Sequence, residues 1–61
     1  MEVIKIVGLT KAEAMEVLVR QGIPHRIVQE DGKGRMVTAD HRIERANLVL
    51  NAGKVTEVYY G

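Results

Sequence analysis

Sixty-one residues suffice for one domain and not for two, since neither half could bury a core of its own. Nine basic and eight acidic residues give a net charge of +1, far from the basic footprint of a nucleic-acid binder or a membrane-surface helix. Cysteine and serine are both absent, which removes disulfides, thiolate zinc sites and the two commonest nucleophiles. The only aromatic residues are Tyr59 and Tyr60, so the core must be built from Val, Ile, Leu, Met and Ala. No apolar run approaches the ~20 residues of a membrane span. The opening Met1-Glu2-Val3-Ile4-Lys5 is not a signal peptide, so if the chain is complete the expected location is cytoplasmic.

Residues 3–7 form an apolar run broken only by Lys5, expected as an edge strand or N-terminal arm that Gly8 closes. Thr10-Lys11-Ala12-Glu13 reads as a capping box, in which the Thr10 hydroxyl and the Glu13 carboxylate each accept from the other's amide. Behind it Ala14, Val17, Leu18 and Gln21 share one helical face, with Met15 at its margin. Gly22 suits the left-handed residue after a helix and Pro24 forbids continuation. These signals predict a helix over residues 11–21.

The β-branched pair Ile27-Val28 predicts a strand over 26–30, followed by a turn at Asp31-Gly32-Lys33-Gly34. Residues 36–47 are polar and charged, with extended-favouring Val37, Thr38 and Ile43, and fit no helical period. Ala46 to Leu50 is a second strand. Asn51-Ala52-Gly53-Lys54 is a tight turn in which Gly53 takes positive φ, and 55–60 is a third strand, antiparallel to the second. The helix is expected to pack Ala14, Val17 and Leu18 against Val28, Leu48, Leu50 and Val55. The connection between the first two strands is long for a compact domain, and such loops are usually functional or disordered.

His25 and His41 share no ligand spacing, and a metal site needs three or four ligands, so no metal is expected. No cofactor motif is present and no enzyme is expected; Thr10, the first hydroxyl candidate, is already used as a cap. Gly32-Lys33-Gly34-Arg35 is a poor phosphate loop, because no helix signal follows Arg35; a turn with flexible glycines is the better reading. A phosphate or nucleic-acid binder using Lys33, Arg35 and Arg42 is therefore the weakest alternative. The segment 37–45 has the composition of a presented loop. Arg42 and Arg45 offer planar donor forks to carbonyls and carboxylates, and Thr38 and Asp40 are natural partners on the loop itself.

Val37-Thr38, Asp40, Arg42-Ile43-Glu44-Arg45 and Leu48-Val49, together with Val7-Gly8-Leu9-Thr10 and Ala12-Glu13-Ala14, resemble the potato inhibitor I family. These are the eglin-like and barley chymotrypsin-inhibitor-like serine protease inhibitors. The resemblance implies an α+β fold, with a single helix on a small mixed sheet and a long exposed binding loop, about residues 34–45, between two parallel strands. It implies a protease-binding loop of Met36, Val37, Thr38, Ala39, Asp40, His41 and Arg42, with the scissile bond between Ala39 and Asp40. Arg42, Arg45 and Asn47 would support the loop. Asn47 stands where the family often has a second scaffold arginine, and His41 where it usually has an aromatic. Ala39 at the specificity position implies subtilisin-like or elastase- and chymotrypsin-like targets rather than trypsin. The implied partner is a serine protease, with neither nucleic acid nor membrane, and the chain is expected to act as a monomer. Arg45 is expected at the surface, where its loss would leave the fold nearly intact. A non-inhibitory interaction module on the same frame is the alternative.

Overall fold

Thr10 starts the helix as its composition predicts. In the computed structural model, which describes residues 3–61, Thr10 N donates to Glu13 Oε1 (3.0 Å) and Glu13 N to Thr10 Oγ1 (3.2 Å). Helix α1 runs Lys11–Arg20 with Gln21 as its C-cap. Gly22 takes φ 68°, Ile23 N donates to Leu18 O (2.9 Å) and Gly22 N to Val19 O (3.1 Å). That pair of bonds satisfies two carbonyls the helix end would otherwise orphan. Strands β1 (His25–Glu30), β2 (Lys33–Gly34), β3 (Ala46–Asn51) and β4 (Lys54–Tyr60) follow. They form one mixed sheet of order β2-β1-β3-β4. The central pair β1–β3 is parallel and both outer pairs are antiparallel. The fold is α+β, one helix on a small mixed sheet.

Alternation along β3 divides the sheet's two faces. Ala46, Leu48 and Leu50 point one way and join Ile6, Ala14, Leu18 and Val55 in the buried core. Asn47 and Val49 point the other way. A bulge at Thr56 skips one residue between the pairs Leu50–Val55 and Val49–Glu57. It lets both Val55 and Val58 face the core despite their odd spacing.

The strand alternative for residues 3–7 and one expected core contact fail here. Residues 3–7 are not a strand: Val3–Ile6 is a 3₁₀ helix that delivers Ile6, fully buried, to the core. Apolar residues at 3, 4, 6 and 7 fit no period of two, whereas a three-residue turn suits them. The chain does reach the sheet edge just afterwards, where Gly8 N donates to Val55 O and Val55 N to Leu9 O. In the core, Ile27 rather than Val28 packs inward. Val28 is the extra residue of a second bulge, between Ile27–Leu48 and Gln29–Val49, and a run of two β-branched residues does not say which faces in. Val17 packs at the core margin as a half-buried residue.

Asp31 (φ 54°) with Gly32, and Ala52 (φ 53°) with Gly53, make two tight turns, and Asp31 Oδ1 accepts from Ala52 N at 2.8 Å. The bond ties the two hairpin ends together. Ala52 holds a left-handed conformation that costs a non-glycine residue about 1–2 kcal/mol. Ala52→Gly is therefore expected to raise stability by up to about 1 kcal/mol in urea unfolding, the unfolded-state entropy of glycine offsetting the rest. Leu48→Ala is expected to cost about 2–5 kcal/mol, close to the whole stability of a chain this small. An unchanged denaturation midpoint in that variant would contradict the core described above.

Candidate functional site

The parallel pair β1–β3 dictates the loop. The chain leaves β1 at one end of the sheet and must enter β3 at the other, a return of about 20 Å for six-residue strands. Its first step back is β2, antiparallel to β1 through Gln29–Gly34 and Glu30–Lys33. Asp31–Gly34, expected as a turn alone, thus contains a two-residue strand. Arg35 N donates to Val28 O (2.9 Å), and beyond it no residue up to Arg45 belongs to a strand or helix. Every residue from Asp31 to Glu44 is exposed. Met36 is wholly exposed and Val37 is 44% exposed. Ala39 lies in a bend in the middle of this segment, without ladder pairing.

The loop is nevertheless tied to the sheet on both sides of Ala39. On the carboxyl side Arg45 Nη2 donates to Asp40 O (2.7 Å) and Nη1 to Asp40 Oδ2 (3.2 Å), while Nε donates to Gly61 O (3.0 Å). Arg45 precedes β3 and shares the parity of Asn47, which places it on the sheet face away from the core. Its side chain is only 11% exposed. The expectation of a solvated surface arginine is therefore corrected: three charged hydrogen bonds join it to the loop and to the end of β4. Removing it takes away the one guanidinium that joins Asp40 to Gly61.

On the amino side the partner is Arg26 of β1, whose Nη1 lies 3.3 Å from Thr38 O and 3.4 Å from Thr38 Oγ1. Sequence reasoning missed Arg26, which looks like any polar strand residue until the register places it beside Asn47. Asn47 is 1% exposed and makes no hydrogen bond to the loop. Its Oδ1 accepts from Arg26 Nε (2.6 Å), and its Nδ2 donates to Gly61 O (3.2 Å) and Tyr59 O (3.3 Å). Gly61 was also missed. It is buried, its N donates to Arg45 O (3.0 Å), and a Cβ there would meet Asn47 Nδ2 at 3.1 Å and the His41 ring at 3.4 Å. Arg42 lies on the loop, where its Nε donates to Asp40 Oδ2 (3.1 Å), and its O accepts from Arg45 N. Met36, Val37, Ala39 and His41 share the exposed segment.

Asp40 is where the loop's charge concentrates. The Thr38 hydroxyl donates to Oδ1, and Arg42 and Arg45 both hold Oδ2. The Thr38 hydroxyl first, then the two guanidinium groups, hold the Asp40 carboxyl far below the usual carboxylate range. Among the described residues no group of His, Cys, Asp and Glu could hold a metal ion, and no helix is long and apolar enough to cross a membrane. No family model matches the chain, and no curated protein matches it.

Folding lowers the Asp40 pKa, so its stabilising contribution is fully present above the ordinary value of 3.8 and is lost progressively as pH falls from there through the lowered native value. A carboxyl titration followed by NMR is expected to give Asp40 a midpoint well below 3.8. Thr38→Val should move that midpoint up further than Arg42→Ala does. A wild-type midpoint at the ordinary value would mean that the network around Asp40 is not formed in solution.

Proposed function

We propose that the protein inhibits serine endopeptidases, with residues 36–42 acting as a substrate-like loop, as in the potato inhibitor I family that its sequence resembles. One observation carries the reading. Ala39 is exposed and unpaired, while the residues on either side of it, Thr38 and Asp40, are each bonded to an arginine, one on β1 and one at the entry to β3. A flexible surface loop would be a substrate. A loop held at both flanks can be attacked yet keeps the products in place.

In this mechanism the loop lies extended in the enzyme's cleft and pairs with its backbone. The Ala39 carbonyl enters the oxyanion hole and the methyl side chain occupies the primary pocket. Attack on Ala39 C breaks the bond to Asp40 N and forms an acyl-enzyme. The new Asp40 amine cannot diffuse away, because Arg45 still holds the Asp40 carbonyl and carboxylate. The amine therefore re-attacks the ester and restores the peptide bond. Ordering the loop before binding removes much of the entropy cost of association. An Ala39 methyl suits small or broad primary pockets and leaves unpaired the buried carboxylate that trypsin reserves for Lys or Arg.

Titrating the protein against subtilisin, elastase, chymotrypsin and trypsin tests this directly. Tight, durable inhibition of subtilisin or elastase is expected, with little effect on trypsin. Ala39→Lys should transfer inhibition to trypsin without moving the unfolding midpoint, because the side chain is exposed. Asp40→Ala should turn the inhibitor into a substrate cut after Ala39, seen by mass spectrometry. If none of the four enzymes is inhibited while the loop stays intact, the protease reading fails, and the non-inhibitory interaction module takes its place.

A further inference from the structure

We propose that Arg26, on β1, is the positioning residue for the amino-terminal half of the loop, aimed there by the buried amide of Asn47. The hydrogen bonds form a closed path around Ala39. Thr38 is held by Arg26, Arg26 by Asn47, Asn47 by Gly61, Gly61 by Arg45, and Arg45 by Asp40. Strand β1 and the residue just before β3 thus each supply one guanidinium, one to each side of the Ala39–Asp40 bond.

The path fixes the orientation of every member. Arg26 and Asn47 are register partners on neighbouring strands, so their side chains lie side by side on the same face. Asn47 Oδ1 is the acceptor for Arg26 Nε. The reverse amide orientation would set N–H against N–H there and carbonyl against carbonyl at Gly61 and Tyr59. With Nε engaged, the rigid planar fork has its terminal nitrogens left for the loop, and Nη1 meets both the carbonyl and the hydroxyl of Thr38. Gly61 closes the path only because it has no side chain, since a Cβ would press on Asn47 Nδ2. Asn47 therefore works at second hand: buried, and with no hydrogen bond to the loop, it decides where the Arg26 guanidinium sits.

For inhibition, the role rests on the function proposed above. A cut after Ala39 frees two ends. Arg45 retains the one that begins at Asp40, and Arg26 retains the one that ends at Ala39. Holding one end alone leaves the acyl group free to swing away from the amine.

Arg26→Gln isolates this role, because the glutamine Nε2 occupies the chain position of the arginine Nε. Asn47 keeps its donor and only the contact to Thr38 is lost. Backbone ¹⁵N relaxation is measured on wild type, on Arg26→Gln, and on Val17→Ala as a destabilised control that does not touch the loop. The order parameters of Val37 and Thr38 are expected to fall below about 0.6 in Arg26→Gln alone, while those of His41 and Arg42 hold. Cleavage after Ala39 by subtilisin should accelerate about 10- to 100-fold, the factor carried by the loss of a charged hydrogen bond. Loop amides in Arg26→Gln that match wild type would overturn the assignment, as would equal loosening in Val17→Ala. If Val37 and Thr38 loosen but neither protein inhibits or is cut at Ala39, the role of Arg26 stands and the protease reading falls.

Discussion

Two parallel strands side by side cannot be joined by a hairpin. The chain must travel back the length of a strand before it can start the second one, and most of the molecule follows from that demand on β1 and β3. Helix α1 and the 3₁₀ helix cover the face that carries Ala46, Leu48 and Leu50, so the return path is left to the open side. There it runs without regular pairing from Arg35 to Arg45. Length and exposure of the loop are thus consequences of topology and do not by themselves argue for a function. What the topology does not require is the set of side chains that hold the loop.

Those side chains occupy the sheet face that the core does not use. Buried polar groups are tolerated only when satisfied, and Asn47 meets that condition with three partners: Arg26, Tyr59 and Gly61. No buried side-chain N or O among the described residues lacks a partner. The result is a small polar core on one side of a sheet whose other side is a small apolar one. The apolar core sets whether the chain folds, and the polar one sets the shape of the exposed segment. Because Asp40 lies at its rim among cations and a hydroxyl, the arrangement keeps its charge through the neutral and mildly acid range.

Local chemistry was the most legible part of the sequence. The capping box at Thr10, the stop at Gly22-Pro24, the turn at Gly53 and the antiparallel last hairpin all depend on residues within a few positions of one another. The long unpaired segment was legible for the same reason, since no period fits residues 36–47. Side-chain facing was less so. Ile27 and Val28 are equivalent by composition, and a bulge set by the partner strand decides between them. The apolar run at the amino end has no period-2 pattern, but only its docking against β4 shows that it is a 3₁₀ turn. Arg26 was invisible because its meaning depends on a register with Asn47, 21 residues away. Gly61 was missed for a related reason: a glycine is usually read for its backbone freedom, and here it matters for the space a side chain would fill.

A loop held on both sides of Ala39 makes a thermodynamic claim that one measurement reaches most directly. Intact protein, and protein already cut between Ala39 and Asp40, are each incubated with catalytic subtilisin at neutral pH until their composition stops changing, and both mixtures are analysed by mass spectrometry. Two ends kept in register make resynthesis nearly as favourable as hydrolysis. The two incubations should therefore converge on the same mixture, with a substantial share of intact chain. Complete conversion to cut protein from both starting points would show that the ends separate, and that Arg26 and Arg45 do not hold the loop.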